Sequence, residues 1–148
     1  EFLFNLGTYM TPQVAYMQTL GLETLNVRYQ KQAQNALDLA KALQQLPQVK
    51  RVNYPGLSLD KPFGAMLTID LESEQKCFDF LNRLRLIRRA TNLFDNKSLA
   101  IHPYSTIFVG FTPEEKKQMD IFDTTIRLSM GLEDVNDLFE DIKQALDK

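Results

Sequence analysis

The sequence predicts an α+β fold, a two-layer sandwich in which helices pack on one side of a small, mostly antiparallel sheet. Alternating apolar residues, the pattern of a strand, occur at 65–71 and 125–130, and apolar stripes at helical spacing lie on either side of them. The 148 residues show no repeat, linker or low-complexity stretch. We therefore expect a single domain over residues 1–148.

A long helix is predicted in the first third of the chain. Thr11 followed by Pro12 is a helix start, because Thr caps free amide groups and Pro suits the first turn. One apolar stripe then extends to about Leu46 and contains Leu22, Leu25, Tyr29, Ala33, Ala36, Ala40 and Leu43. Because Gly21 is unfavourable inside a helix, we expect one helix bent near residues 20–24 or two helices in series.

The middle of the chain predicts short elements joined by loops. Residues 49–54 are rich in β-branched and aromatic residues and predict a strand that ends at the Pro55-Gly56 turn, after which a loop extends to Phe63. The strand at 65–71 comes next. Ser73 then caps an amphipathic helix that is expected to end near Leu86.

The C-terminal half predicts a functional loop followed by helix, strand and helix. A short strand is expected at 88–93, and the long aperiodic segment 94–110 is of a kind that is often functional in compact domains. Thr112-Pro113-Glu114-Glu115 is a capping box and begins a short helix that ends near Met119. After the strand at 125–130, a last helical stripe contains Val135, Leu138, Phe139, Ile142, Ala145 and Leu146.

Composition argues against several classes of protein. Lys and Arg number 17 and Asp and Glu number 19, so a protein that mainly coats nucleic acid or anionic membrane is not expected. The lone Cys77 suits a reducing compartment, and it lies on an apolar helix stripe where a thiol is a small hydrophobe rather than a nucleophile. No apolar run reaches the roughly 18 residues of a membrane span. A cytoplasmic protein is expected.

Charge is distributed unevenly between two segments. Residues 82–97 carry five cations and one acid, whereas residues 132–148 carry six acids and two lysines. Solvated helix faces that pair with each other explain this pattern better than an anion-binding patch. The single histidine, His102, has no second histidine, cysteine or spaced carboxylate near it, so we expect a structural role and no metal site.

Arg127 is the residue that most needs an explanation. It lies mid-strand between Ile126 and Leu128, where its side chain cannot extend far into solvent, and a partly buried guanidinium needs an anion or hydrogen-bond acceptors. The guanidinium fork suits a carboxylate through two parallel hydrogen bonds. Spacing leaves two partners open, an Asp or Glu of this chain and the carboxylate of a ligand.

Several segments of the sequence form a pattern when they are taken in order along the chain. They are Gly21-Leu22-Glu23-Thr24-Leu25 with Arg28, Val52-Asn53-Tyr54-Pro55-Gly56-Leu57, Asn92 with 95–103 and Ser105-Thr106, Thr112-Pro113-Glu114-Glu115, and 126–134. In this order they resemble the C-terminal part of the Cys/Met-metabolism family of pyridoxal-phosphate enzymes. Within that family the sequence is most similar to O-acetylhomoserine sulfhydrylases and cystathionine γ-synthases.

The resemblance implies a division of labour between two domains. In the family a large domain holds pyridoxal phosphate on a catalytic lysine, and a small C-terminal domain completes the substrate site. This chain resembles the small domain, and nothing in it resembles the lysine segment, so the chain alone is expected to be inactive and to hold no cofactor. The implied partners are an amino-acid substrate, the chain's own N-terminal cofactor domain and further copies in a homotetramer.

The resemblance also assigns site residues. The arginine of the motif matched by 126–129 grips the substrate α-carboxylate in the family, so Arg127 is expected to bind that carboxylate, with Ser98 beside it. Asn92 and Leu99 belong to the loop that supports the site. The chain contains no catalytic residue and no metal ligand by this comparison.

Three departures from the family pattern bear on the site. Phe94 stands where the family usually has glycine, two positions after Asn92, and Phe108 stands where family loops commonly have a second histidine. The stretch from Pro55 to Gly64 is shorter than in the sulfhydrylase branch.

Two hypotheses from other classes remain open at this point. The chain could be a stand-alone amino-acid-binding or regulatory module, because small α+β sandwiches host many functions. It could also be a structural oligomerisation domain, which predicts that Arg127 pairs with an acid of the chain itself.

Overall fold

The computed structural model describes residues 5–147; the first four residues and Lys148, the ends of the expected domain, lie outside the described residues. Five strands form one sheet: β1 Arg51–Asn53, β2 Met66–Asp70, β3 Arg88–Arg89, β4 Leu99–Ile101 and β5 Thr125–Ser129. Within residues 12–147 the helices are α1 Pro12–Glu23, α2 Leu25–Leu43, α3 Pro55–Leu59, α4 Glu74–Arg83, α5 Pro113–Gln118 and α6 Val135–Leu146, with a 3₁₀ turn at Pro103–Ser105. No helix of this part of the chain is both long and apolar enough to cross a membrane.

The sheet is mostly antiparallel, as predicted. Its strand order is β1-β2-β5-β4-β3, and only the pair of β3 and β4 is parallel. Strand β5 lies between β2 and β4, with Thr68 opposite Arg127 on one side and Ile101 opposite Arg127 on the other. The residue at the middle of β5 is therefore also near the middle of the sheet.

One face of the sheet forms the core together with the helices. Alternate residues of β2 and β5 turn toward that core, and Ile69, Ile126 and Leu128 have no solvent exposure. They share one cluster with buried side chains of α2, α4 and α6, which include Leu39, Leu43, Cys77, Phe80, Leu138 and Ile142. This confirms the predicted α+β class.

The N-terminal helix is two helices in series, as expected from Gly21. Helix α1 ends at Glu23 and α2 begins at Leu25, with Thr24 between them. The predicted apolar stripe is only half correct, however. It is buried from Ala33 onward, whereas Leu22, Leu25 and Tyr29 are exposed.

The prediction of loops was wrong in two places. Residues 55–59 form the short helix α3, with Pro55 in its first turn. This helix needs Gly56, because a Cβ at that position would lie 2.6 Å from the carbonyl oxygen of Lys61. A five-residue helix is too short to show helical periodicity in the sequence.

The second correction concerns the predicted loop at 94–110. It contains β4 and the 3₁₀ turn, and all three residues of β4 are buried, so that the strand shows no alternation. The predicted strand at 88–93 shrinks to the two residues of β3. Alternation is visible only when one face of a strand is solvated, which is why the sequence pattern missed β4.

Helices α4 and α6 pack against each other, but not through the expected ion pairs. Among the described residues, no salt bridge joins segment 82–97 to the acidic C-terminal segment. Instead the buried carboxylate of Asp141 accepts hydrogen bonds from the backbone amides of Arg85, Leu86 and Ile87, at 2.9–3.0 Å. The acidic segment meets the basic one through backbone groups, which a count of side-chain charges does not reveal.

Asp141→Ala should destabilise the fold by about 2–3 kcal/mol, because it leaves these three amides without their acceptor. Urea unfolding of the purified chain measures the change. Glu140→Ala is the matched control, since it removes an acid from the neighbouring, exposed position of the same helix. Equal effects of the two substitutions would contradict the role given to Asp141.

Candidate functional site

Arg127 lies on the face of the sheet that is turned away from the core. Its neighbours Ile126 and Leu128 are fully buried against the helices, and the two-residue period of the strand places the guanidinium on the opposite face. The side chain is half-buried there. This agrees with the predicted position of Arg127 on the polar face of its strand.

The guanidinium of Arg127 is poorly satisfied. Its Nη2 donates one long hydrogen bond, 3.4 Å, to the backbone carbonyl of Asn92. No carboxylate of residues 5–147 forms a salt bridge with it. Of the two partners that the sequence left open, an Asp or Glu of this chain is therefore not found among the described residues.

A second arginine of the same sheet shows what an internally paired guanidinium looks like. Arg51 on β1 forms salt bridges with Asp70 and Asp120. The hydrogen bond to Asp70 is the main reason that the pKa of Arg51 is raised. By contrast, the pKa of Arg127 is lowered, and desolvation by burial is the cause. Arg127 still carries its charge at neutral pH, so it bears the cost of burial without a compensating anion.

An open groove of about 550 Å³ adjoins Arg127 on this face. The residues that line it include Asn53 of β1, Met66 and Thr68 of β2, and Leu57 and Ser58 of α3. The side chains of Asn53 and Thr68 are hydrogen-bonded to each other at 3.1 Å. None of the described residues that line the groove is acidic, and Arg127 is the one charged residue among them.

The loop at residues 92–98 approaches Arg127 from the other side and is held by polar contacts. Asp95 organises it internally, because its carboxylate accepts from the side chain of Asn92 and from the backbone amide of Lys97. The side chain of Gln32 on α2 donates to the Asp95 carbonyl at 2.8 Å. The Asn92 carbonyl is thereby placed where it accepts from Arg127.

Ser98 does not contact a ligand-accessible surface, contrary to its prediction as a carboxylate-binding residue beside Arg127. It has no solvent exposure. Its hydroxyl donates to Oε2 of Glu133 at 2.9 Å and accepts from the backbone amide of Gly131 at 2.8 Å, and its own amide donates to Oε1 of Glu133. Both functions of the hydroxyl are used inside the protein, so Ser98 fastens the loop to the end of β5.

Leu99 and Gly131 complete this junction. Leu99 is buried and pairs with Ser129 across β4 and β5. Its place in a segment that supports the substrate site stays a prediction. A Cβ on Gly131 would lie 2.5 Å from the carbonyl oxygen of Asn96, so only glycine allows the loop to approach so closely.

Phe94 has a left-handed backbone conformation, with φ of +54°. This conformation costs a residue with a Cβ roughly 1–2 kcal/mol, and glycine adopts it freely. The left-handed backbone at Phe94 thus explains why a glycine suits this position in the family pattern. Its amide donates to Oγ of Ser129 at 3.3 Å.

Four residues that contact the loop at 92–98 or the end of β5 were not identified as site residues from the sequence. Gln32 and Asn35 are buried polar residues of α2, and Asn35 donates to the carbonyls of Gly131 and Glu133. For Glu133 the sequence indicates only a favourable charge near the start of a helix. For Tyr29 it indicates a position in the core. The one available signal was the pair of amide side chains, Gln32 and Asn35, beside the buried stripe of α2.

The two further candidates from the sequence, His102 and Cys77, both lie in the interior. His102 is buried, with Nδ1 at 2.8 Å from Oγ of Ser105 and Nε2 at 2.7 Å from the carbonyl of Asp123. Burial raises the pKa of the Cys77 thiol to about 12, so it stays protonated and unreactive at neutral pH. Residues 5–147 contain no cluster of three or more potential metal ligands.

Ser98→Ala should lower the free energy of unfolding by about 1–3 kcal/mol, because it leaves the Gly131 amide and a Glu133 oxygen without a partner. Chemical denaturation of the chain tests this. Ser58→Ala, at an exposed position, is the control and should change stability by less than about 0.5 kcal/mol. A Ser98→Ala variant as stable as the unmodified chain would contradict the role of Ser98 as an anchor of the loop.

Comparison with known proteins gives the same family along the whole chain. Residues 2–147 match the family described as Cys/Met metabolism PLP-dependent enzyme. The O-acetyl-L-homoserine sulfhydrylase 1 of Thermus thermophilus is 39% identical over 97% of this chain, and the L-methionine gamma-lyase of Pseudomonas putida is 37% identical over 95% of it. The chain covers 37% and 38% of the lengths of these two proteins.

Solved structures give the same result. An O-acetylhomoserine (thiol)-lyase structure from Campylobacter jejuni, which contains N′-pyridoxyl-lysine-5′-monophosphate, matches 99% of this chain with a TM-score of 0.89 and 36% identity. The O-acetylhomoserine sulfhydrylase of Wolinella succinogenes matches 99% of the chain with a TM-score of 0.81 and 43% identity. The chain covers 38% and 42% of those two chains. By family match, sequence identity and fold, this chain belongs to the Cys/Met metabolism PLP-dependent enzyme family.

Proposed function

We propose that this chain is the C-terminal substrate-site domain of a pyridoxal-phosphate-dependent transsulfuration enzyme. The parent enzyme carries out γ-substitution or γ-elimination on O-acylhomoserine, cystathionine or a related sulfur amino acid. The names of the relatives support this range of reactions, since they include sulfhydrylases acting on O-acetyl-L-homoserine and O-succinylhomoserine and L-methionine gamma-lyases. The domain assignment is supported by the chain covering about two fifths of those proteins.

The observation that carries the proposal is the unsatisfied charge of Arg127. A half-buried guanidinium on a rigid strand, with one long bond to a carbonyl and no acid of the described chain, is suited to a carboxylate that arrives with a ligand. Every amino-acid substrate of this class has an α-carboxylate. Arg127 therefore binds that group, and the long bond to the Asn92 carbonyl directs Nη2 toward the loop at 92–98.

The contribution of Arg127 to catalysis is positional. Two parallel hydrogen bonds fix both the place and the plane of the carboxylate, so that the reacting carbons of the substrate are presented in one orientation at each turnover. Asn92 and Leu99 act through the loop and not on the substrate. No residue of this chain is assigned a proton transfer or a covalent step.

The cofactor belongs mainly to the rest of the parent protein in this proposal. The residues lining the groove beside Arg127 include no lysine, so they suit the substrate and not the covalent attachment of pyridoxal phosphate. When bound in the parent, pyridoxal phosphate supplies the electron sink for carbanion chemistry. This chain supplies the carboxylate site and the surface against which the substrate is oriented.

The exposed surface of helix α1 is a further argument for a second domain within the same protein. None of its residues is buried, and Val14, Tyr16, Met17, Leu20 and Leu22 are large exposed hydrophobic residues. An apolar surface of this kind normally marks an interface. We assign it to contacts with the chain's own cofactor domain, in a parent that assembles as a homotetramer.

Arg127→Lys in the full-length protein should lower kcat/KM by about 10–150-fold, because a point charge cannot reproduce the two parallel bonds to a carboxylate. Steady-state kinetics with O-acetyl-L-homoserine and sulfide, together with the thermal midpoint, provide the measurement. The midpoint should stay close to that of the unmodified protein, since Arg127 has no internal salt bridge to lose.

Arg51→Lys is the matched control, because it changes an arginine of the same sheet that is paired internally with Asp70 and Asp120. It should lower the thermal midpoint and leave kcat/KM nearly unchanged. The assignment of Arg127 would be wrong if Arg127→Lys melted several degrees lower yet turned over substrate normally.

The isolated 148-residue chain should be inactive and should retain no pyridoxal phosphate. The test is incubation with the cofactor, desalting, and measurement of the remaining visible absorbance and of thiol formation from O-acetyl-L-homoserine and sulfide. The full-length protein is the positive control. Stoichiometric cofactor retained by the isolated chain would contradict the domain assignment, and amino-acid binding without cofactor would favour the stand-alone module instead.

A further inference from the structure

Phe94, in the loop that meets Arg127, forms an aromatic pair with Tyr29 of α2. Their ring centroids are 6.3 Å apart and the ring planes are inclined by only 20°, which is a stacked arrangement. Both rings remain partly open to solvent, at 42% and 41% exposure. Stacking has therefore not removed them into the core.

The pair is fixed at both ends. The Phe94 amide is bonded to Ser129, and the Tyr29 hydroxyl accepts a hydrogen bond of 3.1 Å from the amide of Gly64. The two rings thus connect helix α2, the loop at 92–98 and the turn before β2. A surface held by three separate segments is a preformed wall.

The wall lies within reach of a substrate bound at Arg127. Ser129, which holds Phe94, is two residues from Arg127 on the same face of β5, a separation of about 7 Å along the strand. On the loop, Asn92 touches Arg127 and stands two residues before Phe94. The side chain of an amino acid held by its α-carboxylate can span that distance.

The backbone of Phe94 adds a second line of argument. A bulky side chain at φ of +54° is an outlier, and outliers of this kind concentrate at ligand sites where the surrounding structure holds them in place. The ring is thus placed at a position where the backbone alone favours glycine. The backbone therefore gives no reason for a phenylalanine here, and the reason lies in the contacts of the ring.

We infer that the Phe94–Tyr29 wall determines substrate specificity, selecting amino acids with a short, neutral γ-substituent over those with a charged distal group. The inference rests on the proposed function of Arg127. An acetyl ester or a methyl thioether belongs to the favoured class, and a succinyl ester or a cystathionine side chain belongs to the disfavoured class.

The chemistry of the wall accounts for this preference. Aromatic faces make favourable contacts with thioether sulfur and with methyl groups. The ring faces offer no hydrogen-bond donor to a distal carboxylate, which loses water on approach and needs a compensating charge or donor. The acid of this loop, Asp95, is already bonded to Asn92 and to the amide of Lys97.

The experiment compares O-acetyl-L-homoserine with O-succinyl-L-homoserine in the full-length holoenzyme, using kcat/KM for each ester. The unmodified enzyme should prefer the acetyl ester. Phe94→Gly and Phe94→Ala both remove the ring and should lower the ratio of the two kcat/KM values by about tenfold or more. Phe111→Ala removes a ring of similar exposure, 44%, that is not part of the wall, and it is the control that should leave the ratio unchanged.

The two Phe94 variants separate the effect of losing the ring from the effect of backbone strain. Phe94→Gly suits the left-handed conformation, whereas Phe94→Ala retains the strain, so the glycine variant should have the higher thermal midpoint of the two. A change in specificity shared by both variants is then an effect of the missing ring and not of folding.

Three outcomes would overturn the inference. One is an unchanged ratio in both Phe94 variants while Arg127→Lys still loses activity. That result would support the carboxylate site and contradict the role of the wall in specificity. Another is a preference for the succinyl ester that disappears in Lys97→Ala, which would mean that Lys97 binds the distal carboxylate. The third is absence of turnover with either ester and also with L-methionine and L-cystathionine, in which case the proposed function fails together with the inference.

Discussion

The alternation of strand β5 constrains the rest of the molecule. Ile126 and Leu128 must face the helices, and Arg127 must face away from them, because an unpaired guanidinium in an apolar core is far more costly than one at a surface. A slip of one residue in the pairing with β2 or β4 would exchange the two faces. The same constraint that holds the core together therefore places Arg127 between Thr68 and Ile101, beside an open groove.

The loop that meets Arg127 depends on contacts from outside itself. Glu133, which follows β5, and Gln32 of α2 hold its two halves through Ser98 and Asp95. Gly131 allows the close approach at which these bonds form. The position of the Asn92 carbonyl is thus a property of the packed domain, which is how a site on a loop becomes as rigid as one on a strand.

The sequence correctly indicated the elements whose signals are local. The capping box at Thr112 and Glu115, the strand containing Arg127 and the last amphipathic helix all formed where residue type and period predicted them. Elements without such signals were missed, because α3 is too short to be periodic and β4 is buried on both faces. Ser98 was misassigned for a related reason. The residue type of a serine in a motif does not show whether its hydroxyl faces a ligand or a buried glutamate.

By itself the sequence determined the α+β class, the family to which the segments around Asn92 and Arg127 belong, and the need of Arg127 for an anion or hydrogen-bond acceptors. Only the tertiary structure decided that no acid of the described chain supplies this anion, that Ser98 is an anchor, and that Phe94 takes a left-handed conformation against Tyr29. The physical reason is the range of the interactions involved. Period, caps and propensity act over a few residues, whereas these contacts join residues 35 to 65 positions apart, and their existence depends on how the whole sheet and its helices pack.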